Sequence, residues 1–266
     1  MWGTPFRDII KQAAKQGFEG VELWAEHIWA QEESVHDILR WTKDSRITCT
    51  LHAPSWDLNP ASINKEIREA SYQQICRSME LAEQVEAPNI TVHPGHQTIP
   101  STMASWHTDM IKEQLYRLNE KARRHGCTLS VEHMEEKPKE LFCTPGDMNH
   151  LTESMPGDVK VTFDAAHVPA ERDPADYFER MNRINKIHLS DTSQTVYHVG
   201  LGEGHLSLFH LMSLLEHTEL PVVLEGFEEG AGAEKLASHL DYLKKFQKES
   251  IHSNDSFFIT KGGPLT

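Results

Sequence analysis

Six short apolar runs in this chain each end in a carboxylate or an imidazole, the groups from which hard and borderline metal centres are built. They are Thr50-Leu51-His52, Thr91-Val92-His93, Ser130-Val131-Glu132, Thr162-Phe163-Asp164, Lys186-Ile187-His188 and Val223-Leu224-Glu225. Strand side chains alternate with period two, so each terminal group shares a face with the residue two places before it. Leu51, Val92, Val131, Phe163, Ile187 and Leu224 face the other way, toward packing. Glu132, Asp164, His188 and Glu225 offer three carboxylates and one imidazole, a set suited to Mn²⁺, Mg²⁺, Co²⁺ or Zn²⁺ rather than to a thiolate-selected ion. Without a cation, acids crowded into one mouth repel one another and resist ionisation. These four are therefore expected to hold one divalent cation, with ligand distances of about 2.0–2.3 Å.

Such groups must be positioned by elements that bring strand ends together. Periodicity predicts helices over 5–16, 34–43, 64–85, 105–125, 206–217 and 233–248, with strands between them. Thr144-Pro145 and Asp173-Pro174 each read as an N-cap followed by proline at the first helical position. Alternating β and α units with short turns imply parallel strands and right-handed crossovers. Ligand-type residues at the C-terminal end of run after run favour closure into a (β/α)8 barrel over an open sheet, whose site is fed by few strands.

The expectation is one barrel domain over residues 1–249 and a polar tail over 250–266. Only seven runs are found, ending at Trp24, His52, His93, Glu132, Asp164, His188 and Glu225. Met1-Trp2-Gly3-Thr4 is too short for a strand of about five residues, so the first strand is expected to be short or missing, with the chain starting inside or just after it. The gap this leaves would expose sheet edges, and segment 256–260 is one candidate to cover it.

At 266 residues and 38% hydrophobic content the chain can bury a sizeable core. Its net charge of -14 argues against binding a polyanion over the whole surface, although metal ions in a cleft would reverse the local field. Cys49, Cys76, Cys127 and Cys143 are widely spaced, without a CxxC pair, a signal-like N-terminus or a transmembrane-length apolar run. That pattern points to a reduced, cytoplasmic protein with no membrane segment. Among 17 histidines, His107, His125, His217 and His239 fall on polar helical stretches and are expected on solvated faces.

Taken in order, His52-Ala53-Pro54, His93-Pro94-Gly95, Glu132, Asp164-x-x-His167, His188-Leu189-Ser190-Asp191, His198 with Leu201-Gly202-Glu203-Gly204, and Leu224-Glu225 resemble the xylose isomerase-like barrel superfamily. The resemblance runs from about residue 18 to 225. That superfamily includes sugar and sugar-phosphate isomerases and epimerases, inosose-processing enzymes and the endonuclease IV group of abasic-site nucleases. The resemblance implies that Glu132, Asp164, His188 and Glu225 are the shared metal site, that Glu132 and Glu225 remove and return a proton beside a metal-bound carbonyl, and that His167 orients a substrate hydroxyl or binds a second metal.

In the nuclease branch the implied pattern is three zincs. The corresponding sets here are His52, His93 and Glu132; then Asp164, His188 and Glu225; then His167 and His198 with an aspartate two residues before the latter. Val196 stands at that place, so either Asp191 replaces the missing carboxylate or the third site is empty. In sugar enzymes of this type the histidines matching His52 and His93 contact substrate without binding metal. Trp24, Trp56 and Trp106 lie at or after strand ends and could stack on a sugar ring, with core or rim packing as the alternative. Glycines 200, 202 and 204 could seat a phosphate, although glycine-rich turns are common.

The loops after the strands are not conspicuously basic, which disfavours nucleic acid. The expected function is a metal-dependent sugar or sugar-phosphate isomerase or epimerase with a small sugar-like substrate. A zinc-dependent abasic-site endonuclease is the alternative, and a barrel without turnover the third. The oligomeric state is left open.

Overall fold

The computed structural model describes residues 2–193, 196–228 and 233–252. Seven parallel strands pair in chain order: β1 (Gly20–Trp24), β2 (Thr48–His52), β3 (Asn89–Val92), β4 (Thr128–Glu132), β5 (Lys160–Asp164), β6 (Ile184–Leu189) and β7 (Val222–Leu224). They form a nearly closed α/β barrel. The helices are α1 (Phe6–Gln16), α2 (Ala25–Ala30), α3 (Val35–Ser45), α4 (Lys65–Gln84), α5 (Ala104–Arg124), α6 (Pro145–Glu153), α7 (Pro174–Arg180), α8 (Leu208–Leu215) and α9 (Glu234–His252).

The helix starts follow local chemistry. Asn64 accepts from the N–H groups of Glu66 and Ile67 ahead of α4, and Thr144 exchanges bonds with Asp147 in a capping box with Pro145 behind it. Asp173 caps α7 in the same way, accepting from Ala175 N–H ahead of Pro174. Each such cap contributes about 1 kcal/mol.

Strand alternation then separates the two faces. Leu51, Val92, Val131, Phe163 and Ile187 are fully buried beneath the helices. The opposite face carries a polar layer. Thr91 and Thr162 hydroxyls pair at 2.9 Å, and Ser130 donates to Asn185 at 2.7 Å while accepting from Asn89 at 2.6 Å.

Some expectations are corrected. His107 and His239 are buried rather than solvated, His107 with Nδ1 2.9 Å from the Ala61 carbonyl and His239 with Nδ1 accepting from Leu201 N–H at 3.3 Å. Each finds its backbone partner on a neighbouring loop, which helical periodicity cannot show. The short helix α2, directly after β1, adds to the expected elements. The glycine turn seats no phosphate, because its N–H groups are already engaged: those of Gly202, Gly204 and Leu206 donate to the Asp191 carboxylate at 3.1, 3.0 and 3.1 Å. A Cβ at Gly204 would lie 2.3 Å from Asp191 Oδ1, so only glycine permits that approach.

No full strand precedes α1 among the described residues. Trp2 occupies a single-residue bridge and its N–H donates to the Glu228 carbonyl at 2.6 Å. Segment 256–260, considered as a cover, lies outside the described residues. The four cysteines are free and buried. No described helix is long and apolar enough to cross a membrane.

Candidate active site

Glu132, Asp164 and His188 occupy or adjoin the C-terminal ends of β4, β5 and β6, and Glu225 follows β7 directly. One ligand atom from each lies within 4.8 Å of the others. The β5–β6 register sets Asp164 beside His188. His188 Nδ1 is 2.7 Å from Glu225 Oε2, 3.3 Å from Glu132 Oε1 and 3.9 Å from Asp164 Oδ2. Despite these short approaches, His188 Nδ1, Glu225 Oε2 and Asp164 Oδ2 are buried without a well-formed hydrogen bond. Buried polar atoms are nearly always satisfied. Three orphans facing one point fit a divalent cation bound by oxygen and nitrogen.

The charges agree. Burial, then the Glu225 charge, pushes Asp164 well above the usual carboxylate range. Burial also opposes the charge on Glu225, but His188 and His198 overcome it and hold that carboxyl at about 2. Glu132 lies well below its ordinary value, with His93 and His188 outweighing burial. Burial disfavours a charged His188 as well, yet Glu225, Glu22 and Glu132 together push its imidazole well above the ordinary range. One acid forced toward protonation, beside an imidazole that gathers a proton, is the pattern of a site lacking positive charge.

Glu22, which sequence reasoning missed, explains the orientation of His188. The carboxylate sits on β1 with its side chain 8% exposed, its Oε1 2.6 Å from His188 Nε2 and its Oε2 accepting from Thr50 Oγ1 at 2.6 Å and from the buried Lys186 ammonium. His188 Nε2–H donates to Glu22, so Nδ1 is the atom turned toward Glu132, Asp164 and Glu225. A cation held there would be met by Nδ1, with Glu22 holding the ring in place from the other side. A carboxylate behind a histidine ligand fixes its tautomer in this way. Burial works against the Glu22 charge, but Lys186 and then His188 keep it well below the ordinary range. The available signal was Val21-Glu22-Leu23, an acid inside a strand with no evident partner.

Two further groups flank the first. His52, His93 and Glu132 converge, with both imidazole Nε2 atoms 3.1 Å from Glu132 Oε2. His52 Nδ1 donates to the Ala53 carbonyl at 2.6 Å, which turns Nε2 toward Glu132 Oε2. Behind this pair, Asn59 Oδ1 accepts from the N–H groups of Ala61 and His96, tying the loop after β2 to the loop after β3. Gly95, with φ +90°, lets the backbone pass Asn59 and Pro60 there. Asp164, His167 and His198 form the other group. Asp191 does not join it, because its carboxylate is engaged by four backbone N–H groups, those of Thr192, Gly202, Gly204 and Leu206.

Trp24 and Trp56 meet edge to face at 4.4 Å, and Trp2 and Phe227 complete an aromatic cluster around them. Trp56 and Phe227 are 49% and 43% exposed. Burial raises the Glu26 carboxyl on α2, and the nearby backbone of Ser55 and Trp56 opposes that shift. Trp106 packs edge-on against His107 rather than joining these rings.

Comparison with known proteins agrees with this architecture. A solved structure described as a D-tagatose 3-epimerase-like protein superposes with a TM-score of 0.80 at 21% identity, covering 91% of this chain and 93% of that one. An uncharacterised protein of Methanocaldococcus jannaschii is 23% identical over 217 residues, 78% of this chain and 73% of that protein. The Thermoplasma volcanium protein named "Probable endonuclease 4" is 22% identical over 234 residues, 81% of this chain and 79% of its own. The family described as "Xylose isomerase-like TIM barrel" matches residues 10–246; the chain belongs to that family.

Proposed function

We propose that this protein is a divalent-metal-dependent isomerase or epimerase of a small sugar-like substrate. The observation that carries the reading is the pair of glutamates, the buried Glu132 from β4 and the partly exposed Glu225 after β7, converging on one group of unpartnered donor atoms. A bound cation supplies Lewis acidity that makes a C–H beside a substrate carbonyl easier to break. Glu132, Asp164, His188 and Glu225 would hold it.

The chain's own groups then handle the proton. Glu132 and Glu225 are both held below the ordinary carboxylate range, so both are ionised at neutral pH and able to accept one. They come from strands separated by β5 and β6, which lets them approach a substrate carbon from different sides. One removes the proton and the other returns it, inverting or shifting the centre. The cluster of Trp2, Trp24, Trp56 and Phe227 offers an apolar wall for the carbon face of a sugar.

The test is proton exchange. The metal-loaded protein, incubated in D2O with a panel of ketopentoses and ketohexoses, should place deuterium beside the carbonyl of its substrate, read by NMR. Glu225→Gln should abolish the exchange while leaving the fold intact. Turnover by Glu225→Gln at the unaltered rate would exclude the proton-transfer role.

A second reading, hydrolysis of abasic-site DNA, is favoured by the two flanking histidine groups. Val196 in place of a carboxylate and an aromatic rather than basic loop cluster weigh against it. Cleavage of abasic DNA by protein carrying three tightly bound zincs would reverse the order of preference.

A further inference from the structure

We propose that Trp24 and Glu26 form a hydroxyl-binding subsite at the end of β1, which takes the uncharged, hydroxyl-bearing end of a free ketose and turns away a phosphorylated one. The inference rests on the isomerase reading above and narrows its substrate from sugars or sugar phosphates to unphosphorylated sugars.

The four metal donors come from β4, β5, β6 and the residue after β7. That leaves the ends of β1 and β2 to meet whatever part of the substrate extends beyond its carbonyl. Trp24 closes β1 and pairs in register with His52, and Glu22, two residues earlier, points inward to His188 Nε2. Period-two alternation turns Trp24 to the same inner face, at the mouth. Its ring packs against Trp2 and Trp56, but its Nε1 is buried without a hydrogen-bond partner. Glu26 follows on α2, and its Oε2 is buried and unpartnered too. One orphan is a donor and the other an acceptor. Buried polar atoms nearly always find partners, and sugar hydroxyls, which accept as well as donate, are the groups that satisfy this pair.

The charges select among sugars. Burial lifts the Glu26 carboxyl above its ordinary range, against the pull of the Ser55 and Trp56 backbone and of His52, and the Asp57 charge adds to it. Glu26 thus lies beside the loop after β2 and a histidine of the mouth. A donated hydroxyl relieves a carboxylate short of donors, whereas a phosphate ester brought here faces two acids of its own sign. The glycine turn offers it no other seat, because its N–H groups already serve Asp191.

The deuterium-exchange assay tests the subsite when free ketoses and their terminal phosphate esters are run side by side on the metal-loaded protein. Wild type should label a free ketose with kcat/KM about tenfold or more above that of its ester. Trp24→Phe, which keeps the aromatic wall and removes only the N–H, should raise KM about three- to tenfold with kcat little changed. Glu26→Ala should raise KM about tenfold or more, and Glu26→Gln, which keeps an acceptor but loses the charge, should narrow the preference over the ester. Metal content and far-ultraviolet circular dichroism equal to wild type in all three variants separate this role from one in holding the cation or the fold. A wild type that prefers the ester, or an unaltered KM in both Trp24→Phe and Glu26→Ala, overturns the subsite while the exchange itself upholds the isomerase reading. Exchange with no ketose and no ester removes the reading and the subsite together.

Discussion

Glu22→Gln separates two jobs that one buried carboxylate performs. Glutamine keeps the shape of the side chain, but it cannot accept from both His188 Nε2–H and the Lys186 ammonium as the carboxylate does. Lys186 is 1% exposed and its ion pair is with Glu22, whose side chain is 8% exposed. Breaking a buried pair by removing one partner typically costs about 3–5 kcal/mol, because the remaining charge is stranded. The second loss is the orientation of His188, and removing such an outer partner typically lowers metal affinity about 10–100-fold, or about 1.4–2.7 kcal/mol. Urea unfolding of the metal-free protein reads the first effect and a metal titration reads the second. The double variant Glu22→Gln with Lys186→Met should recover much of the stability but none of the affinity. If the single variant stays within about 0.5 kcal/mol of wild type, as an ordinary surface change would, and binds metal normally, the assignment of Glu22 is wrong.

Other perturbations follow from the same contacts. Asp191→Asn replaces one accepting oxygen with an amide that faces N–H groups, and should cost about 1–3 kcal/mol in urea unfolding; an unchanged midpoint would show that the glycine turn stands without Asp191. Burial and then the Glu135 charge push Glu140 up from 4.5 to about 7. A carboxyl with a raised folded value lends stability below its unfolded value and loses it as pH rises through the folded one. Metal-free protein should therefore lose this contribution between pH 4.5 and about 7, and Glu140→Gln should remove that slope from unfolding free energies measured across the range. Trp56→Ala removes a side chain that is 49% exposed, so stability should hardly move while KM for the sugar rises with kcat little changed; an unaltered KM would remove the aromatic wall from substrate binding.

Much of the barrel was legible because its signals are local. Period-two alternation placed Leu51, Val131 and Phe163 outward and Glu132 and Asp164 at strand ends, and Thr144-Pro145 and Asp173-Pro174 marked their helix starts directly. The convergence of the four site groups was readable from their shared position at successive strand ends. What remained hidden depends on contacts between distant elements. Glu22 and Lys186 are 164 residues apart, and only ring-like closure of the sheet brings β1 near β6. His107 and His239 sit on polar helices yet are buried by neighbouring loops, so local composition misleads. The Asp191 carboxylate fills the glycine turn because the chain doubles back between Asp191 and Val199, a tertiary event with no periodic trace.

The central claim is that Glu132, Asp164, His188 and Glu225 hold a divalent cation, and Mn²⁺ anomalous diffraction from crystals of the loaded protein tests it most directly. The account predicts a peak with one atom of each of the four side chains at about 2.0–2.3 Å. A map without a peak among these four residues, or a crystal structure with any two of the side chains more than about 10 Å apart, well beyond the reach of one coordination sphere, would contradict it.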